Sequence, residues 1–194
     1  AMLPWNVDAE IRTMVRSGAV VYELVRPVSL YSLWYTRMLA MRTAPTLLRS
    51  IPLLAITGLF FGLGSPPSWA SALAFVLSLL GALLMGCAIS CLLAISLFWT
   101  ISGQGLNNLL MPAIFVFSGM LVPLPLLPDW AQPLLNALPF RGLVDVPFRL
   151  YTGHIPPAEV LPLFGFQLAW ALALVLLGHR ILARGTRRLV VQGG

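Results

Sequence analysis

Two acids, Asp8 and Glu10, precede two bases, Arg12 and Arg16, near the start of the chain, and Asp129, Arg141, Asp145 and Arg149 form a second charged set further on. Neither set contains the grouping that phosphoryl transfer needs. A phosphate-cradling G-x-x-x-x-G-K-[ST] loop requires a lysine to reach the nucleotide, and the 194 residues contain none. No G-x-S-x-G nucleophile elbow occurs. His154 sits in a Gly-His-Ile-Pro turn with Tyr151 and Glu159 nearby, which suits a solvent-exposed loop better than a catalytic base. Cys87 and Cys91 stand four apart in an apolar run and so share one helix face. No histidine or acid lies beside them in sequence to complete a tetrahedral metal site, and they read as small buried apolar side chains. Arg141/Asp145 and Asp145/Arg149 are i,i+4 pairs, so the second set reads first as a structural ion-pair network and only second as an active site at a membrane surface. Gly142 and Pro147 break any single regular helix through it.

The elements that position these residues belong to a lipid environment. Hydrophobic residues make up 59% of the chain and charged ones only 9%, against about 25% charged in a typical soluble domain. The fold class is therefore all-α: a polytopic transmembrane helix bundle with an N-terminal cytoplasmic amphipathic segment and short extracellular helices. Four spans are expected, at about 46–63, 69–99, 107–122 and 160–182. A transmembrane domain over 44–183 then lies between a cytoplasmic segment, 1–43, and a cytoplasmic tail, 184–194. Pro45 and Pro52 predict a kinked or irregular entry to the first span. Gly64-Ser65-Pro66-Pro67 ends it with a turn. The second run exceeds the ~30 Å hydrocarbon core at ~1.5 Å per residue and must tilt or project. Small residues along it, Gly81, Ala82, Gly86 and Ser90, permit close helix contact. The third span looks short unless the polar loop 100–108 adds helix at its start. The last is apolar except for Gln167, which reads as a hydrogen bond to a neighbouring helix.

The N-terminal segment is amphipathic. Ile11, Met14 and Val15 recur at helical spacing, Asp8 to Arg12 is an acid-to-base i,i+4 pair, and Ser17-Gly18 suits a helix stop. Ser29 is placed to cap a second helix through Tyr31, Trp34, Tyr35 and Met38, lying on the membrane rather than across it. The net charge of +6 comes from arginines clustered at the two ends of the chain. This is the distribution that the positive-inside bias produces, not a nucleic-acid footprint. Both clusters are expected in the cytoplasm, with the 64–68 turn and the 123–157 segment outside.

The run Phe117-Ser-Gly-Met-Leu-Val-Pro-Leu-Pro-Leu-Leu-Pro-Asp-Trp130, followed by Leu138-Pro-Phe-Arg-Gly-Leu-Val-Asp-Val-Pro-Phe-Arg-Leu-Tyr-Thr-Gly153, resembles the permease subunits of type-2 ATP-binding-cassette (ABC) exporters, closest to a bacterial subfamily. Glu10-Ile-Arg-Thr, Arg16-Ser-Gly18, Tyr22-Glu-Leu and Arg26-Pro27 resemble that subfamily's cytoplasmic segment before its third span, and Leu189-Val-Val-Gln-Gly-Gly its C-terminus. The resemblance implies six spans per permease, so the first two look absent here. It also implies a second permease, as homo- or heterodimer, and two ABC ATPase subunits that bind ATP and Mg, with no cofactor in this chain. Asp8, Glu10, Arg12, Arg16, Gly18, Glu23 and Arg26 would then form the coupling segment that meets the ATPase. Anionic membrane lipid is the alternative partner for these arginines. Pro123, Pro128, Asp129, Trp130, Arg141, Asp145 and Arg149 would belong to an outer gate or re-entrant segment closing the pathway. The implied function is that of a non-enzymatic permease in the bacterial inner membrane, moving a hydrophobic or amphipathic substrate. A membrane scaffold without substrate, or a small intramembrane enzyme, remains as an alternative.

Overall fold

A computed structural model of the chain describes residues 9–60, 64–100 and 104–186. Among these residues all regular structure is helical: α1 (Ala9–Ser17), α2 (Val20–Leu24), α3 (Leu30–Phe60), α4 (Trp69–Ser96), α5 (Gln104–Phe117), α6 (Gln132–Ala137), α7 (Asp145–Tyr151) and α8 (Val160–Thr186), with short 3₁₀ turns between them. The expected all-helical bundle is therefore present. Gly18 takes the left-handed conformation, at φ +75, and stops α1 as glycine at that position does. Ser29 caps α3, its Oγ accepting the Ser32 amide at 3.2 Å, and Ser68 caps α4 by accepting the Ser71 amide at 3.1 Å.

α4 is the centre of the bundle. Its Gly81, Ala82, Gly86 and Ser90 are all buried, and α3, α7, α8 and the 3₁₀ turn Pro139–Leu143 pack around it. α8 turns one stripe toward it: Gln167, Ala171, Gly178, Leu182 and Gly185 are its buried residues. Their spacing of four, seven, four and three keeps them on one helical face.

Two expected boundaries fall elsewhere. The aromatic helix after Ser29 does not stop near residue 43; it continues as α3 through Pro45 and Pro52 to Phe60. Each proline removes one amide donor, a loss that transmembrane helices tolerate. The first span is thus the far end of a helix whose near end carries the aromatics, so the segment expected at the surface and the span are one rod. The third apolar stretch also differs. α5 has 14 residues, a length of only ~21 Å, and the described structure contains three helices long and apolar enough to cross a membrane: α3, α4 and α8 with its preceding turn. α5 stops where Gly119 turns the chain at φ +82, and there it meets the 139–145 region instead of continuing. Phe117 stacks on Phe140 at 6.2 Å, and the Asp145 amide donates to the Ser118 carbonyl at 3.0 Å.

Candidate functional site

The bundle has two ends of different chemistry. At one end α1 and α2 fold back on the start of α3, beside the last turns of α4 and α8. Ile11 and Val20 are fully buried there, in the same apolar cluster as Leu30, Tyr31, Trp34, Leu97 and Leu182. Glu10 forms an ion pair with Arg37, which anchors the acidic start of α1 to the second turn of α3. Arg16, Gly18 and Arg26 are exposed. Arg12 is half-buried, and its Nε has no hydrogen-bond partner among the described residues. Asp8, grouped with these in sequence, lies outside the described residues.

Glu23 does not face outward with the arginines. It is buried, and its Oε2 accepts a hydrogen bond from Trp34 Nε1 at 2.7 Å. Its outward neighbours are apolar instead: Tyr22 is 79% exposed and Val25 81%, with Val28 exposed beyond them. Sequence reasoning passed over this Tyr22–Val25–Val28 rim. The available signal was a run of apolar residues in a segment too short to bury both faces.

At the opposite end, the chain between α5 and α8 turns back into the bundle. Gln167 shows how deep it goes. Its Nε2 donates to the Gly142 carbonyl at 2.7 Å and to the Ser78 carbonyl and hydroxyl, each at 3.0 Å. One side chain of α8 therefore ties the 139–143 turn to the third turn of α4. Two carbonyls at these positions need a donor, which fixes the amide orientation. A methyl group at Gly142 would lie 3.0 Å from Met85 Cε, so the turn reaches the middle of α4. From there α7 climbs back out. Val146 and Leu150 pack with Ala74 and Ile155, Tyr151 Oη donates to the Gly64 carbonyl at 3.0 Å, and Gly153, at φ +76, sits against Pro67.

The charged set of this region divides by depth. Asp145 is buried and Arg149 approaches it at 3.7 Å, one helical turn on. Burial raises the Asp145 carboxyl above its usual range, with Arg149 and then Arg141 pulling it back. Burial likewise lowers Arg141; its guanidinium reaches Asn136, not Asp145, while its Nε has no partner among the described residues. The i,i+4 reading thus holds for Asp145/Arg149 as an ion pair and not for Arg141/Asp145. Pro123, Pro128, Asp129 and Trp130 lie on the exposed edge, Trp130 at 81%. They form a rim around the inserted turn and do not join the Asp145 group. His154 shares a hydrogen bond of 2.7 Å with Thr152 on the surface.

What this arrangement can do is mechanical. A clamped amphipathic hairpin occupies one end, a turn inserted to mid-depth occupies the other, and long apolar helices join them. Comparison with curated proteins and with solved structures finds no match for the chain. A family model described as ABC-2 family transporter protein matches residues 2–193. With that match covering nearly its whole length, the chain belongs to the ABC-2 family of transporter proteins and is a membrane protein with the permease part in an ABC transporter.

Proposed function

We propose that the chain is the membrane-spanning subunit of an ATP-driven exporter in the bacterial inner membrane, with ATP and Mg bound by a separate subunit. The observation that carries the reading is the amphipathic segment α1–α2. Its apolar side is buried on α3, while Arg16, Arg26, Tyr22, Val25 and Val28 face outward as a mixed basic and apolar surface. A protein partner suits such a surface better than a headgroup layer alone, because the apolar rim stands among the arginines and not on a separate face. Both arginine-bearing ends of the described chain lie at this end of the bundle, since the Tyr31 and His179 rings are in tilted contact at 4.1 Å with Arg180 and Arg184 beyond them. The positive-inside bias then puts this end in the cytoplasm and the 123–157 segment outside. A hydrophobic or amphipathic substrate fits the exposed apolar faces of α3 and α8, and a second permease completes the pathway. These 194 residues hold no lysine-bearing nucleotide loop, which supports assigning ATP hydrolysis to a separate subunit.

The test is retention of an ATP-hydrolysing subunit on affinity purification in mild detergent. Arg16→Glu, reversing an exposed charge without touching the core, is expected to weaken that retention roughly tenfold, the cost of about 1.4 kcal/mol. Purification without any nucleotide-binding subunit, from cells that express it, would leave the scaffold reading in its place.

A further inference from the structure

Trp34 is 1% exposed and held on two sides. Its indole N–H donates to Glu23 at 2.7 Å, and its ring stacks on Phe98 at 6.0 Å with an interplanar angle of 9°. Phe98 meets Trp99 edge-on at 6.5 Å, and Trp99 in turn lies in a notch left by Gly185 of α8, where a methyl group would come within 2.8 Å of its ring. A turn earlier on α3, Tyr31 fills the notch at Gly178, where a methyl group would lie 2.5 Å from Cε2, and packs on His179 at 4.1 Å. Contact therefore runs without a gap from α2, through Trp34, to the ends of both α4 and α8. Packed rings transmit displacement because interiors are close-packed and do not compress.

We propose that Trp34, clasped by Glu23, is the joint that passes a displacement of α1–α2 to α4 and α8. Both are positioning residues; neither touches the partner subunit. Glu23 is the only acid of α1 and α2 turned inward among the described residues, and a buried carboxylate without a donor is costly. The indole N–H is thus what holds α2 to the ring whose other face drives α4. The proposal rests on the docking reading above, in which the partner pushes on the outward side of α1–α2.

The experiment uses the whole complex in lipid nanodiscs, with spin labels at Ser17 and Ala183 reporting the docking end, and at Leu134 and Leu161 reporting the opposite end. Distances are compared before and after trapping with ATP and vanadate. In the unsubstituted protein both pairs shift. Trp34→Phe keeps the stack on Phe98 but loses the donor, and Glu23→Ala loses the acceptor. Each is expected to retain the ATPase subunit and the docking-end shift, while the shifted population at the opposite end falls several-fold. Glu23→Gln, which keeps an acceptor oxygen, restores it. If Trp34→Phe does not fold, the Glu23→Ala and Glu23→Gln pair decides the question by the same readout. An undiminished opposite-end shift in Glu23→Ala overturns the joint, and so does loss of the ATPase subunit from it, which would make Glu23 a docking residue. Absence of the ATPase subunit from the unsubstituted protein instead defeats the docking reading itself.

Discussion

Among the described residues of α8, Gln167 is the one buried polar side chain, and its amide donates to two backbone carbonyls and a hydroxyl. Gln167→Leu keeps approximate volume but strips the donor from the Ser78 and Gly142 carbonyls. The expected cost is roughly 1–3 kcal/mol, the penalty for leaving a buried acceptor unsatisfied, read as a lower midpoint for thermal unfolding in detergent. Unchanged stability would mean the carbonyls find other donors. The residue scale is also where the sequence was most and least legible. Gly18 and Ser29 announced their turns, because a left-handed stop and a helix cap are local chemistry. Gln167 announced a helix contact, because polarity in a span has few other outlets. Glu23 gave no sign that it faces inward, since its partner Trp34 lies eleven residues away on another helix. Arg141 turned to Asn136 instead of Asp145 because Gly142 and the 3₁₀ turn Pro139–Leu143 break the helix that an i,i+4 pair assumes.

At the scale of elements, α7 carries a titrating device outside the spanning helices. Burial raises the Asp145 carboxyl, so the folded protein holds that proton more tightly than the unfolded chain does. The stabilisation this provides is complete below the unfolded carboxyl range, near pH 3.9, and is lost as pH rises through the raised folded value. Acidification from neutral pH therefore stabilises the packing of α7 on α4, and Asp145→Asn is expected to hold the protonated-like state at every pH. Thermal unfolding of both proteins, followed as pH is lowered from neutral into the carboxyl range, checks this: the gap between them should narrow as pH falls through the raised folded value. A gap that widens on acidification would show that the Arg149 pair outweighs burial. The lengths of α3 and α5 were harder to read than their composition. Prolines at 45 and 52 look like boundaries in sequence, yet the helix runs through both. The end of α5 depends on Phe140 and Asp145, which arrive twenty or more residues later in the chain.

The whole molecule puts its basic, amphipathic hairpin at one end and its inserted turn at the other, with α4 reaching between them. The membrane class was plain from composition, and the charge distribution already separated the two ends, because both follow from what a bilayer excludes. How far the 139–143 turn penetrates was not legible, since that depth is set by Gln167, Gly81 and Gly142 meeting from three separate elements. The central claim, that the α1–α2 end is where a separate ATP-hydrolysing subunit docks, is tested most directly by photo-crosslinking in intact cells. A photoreactive residue is placed at Arg16, at Val25 and at Trp130 in turn. The account predicts a crosslink to a nucleotide-binding subunit from positions 16 and 25 and none from position 130. A crosslink from 130, or adducts from 16 and 25 to lipid alone, would contradict it.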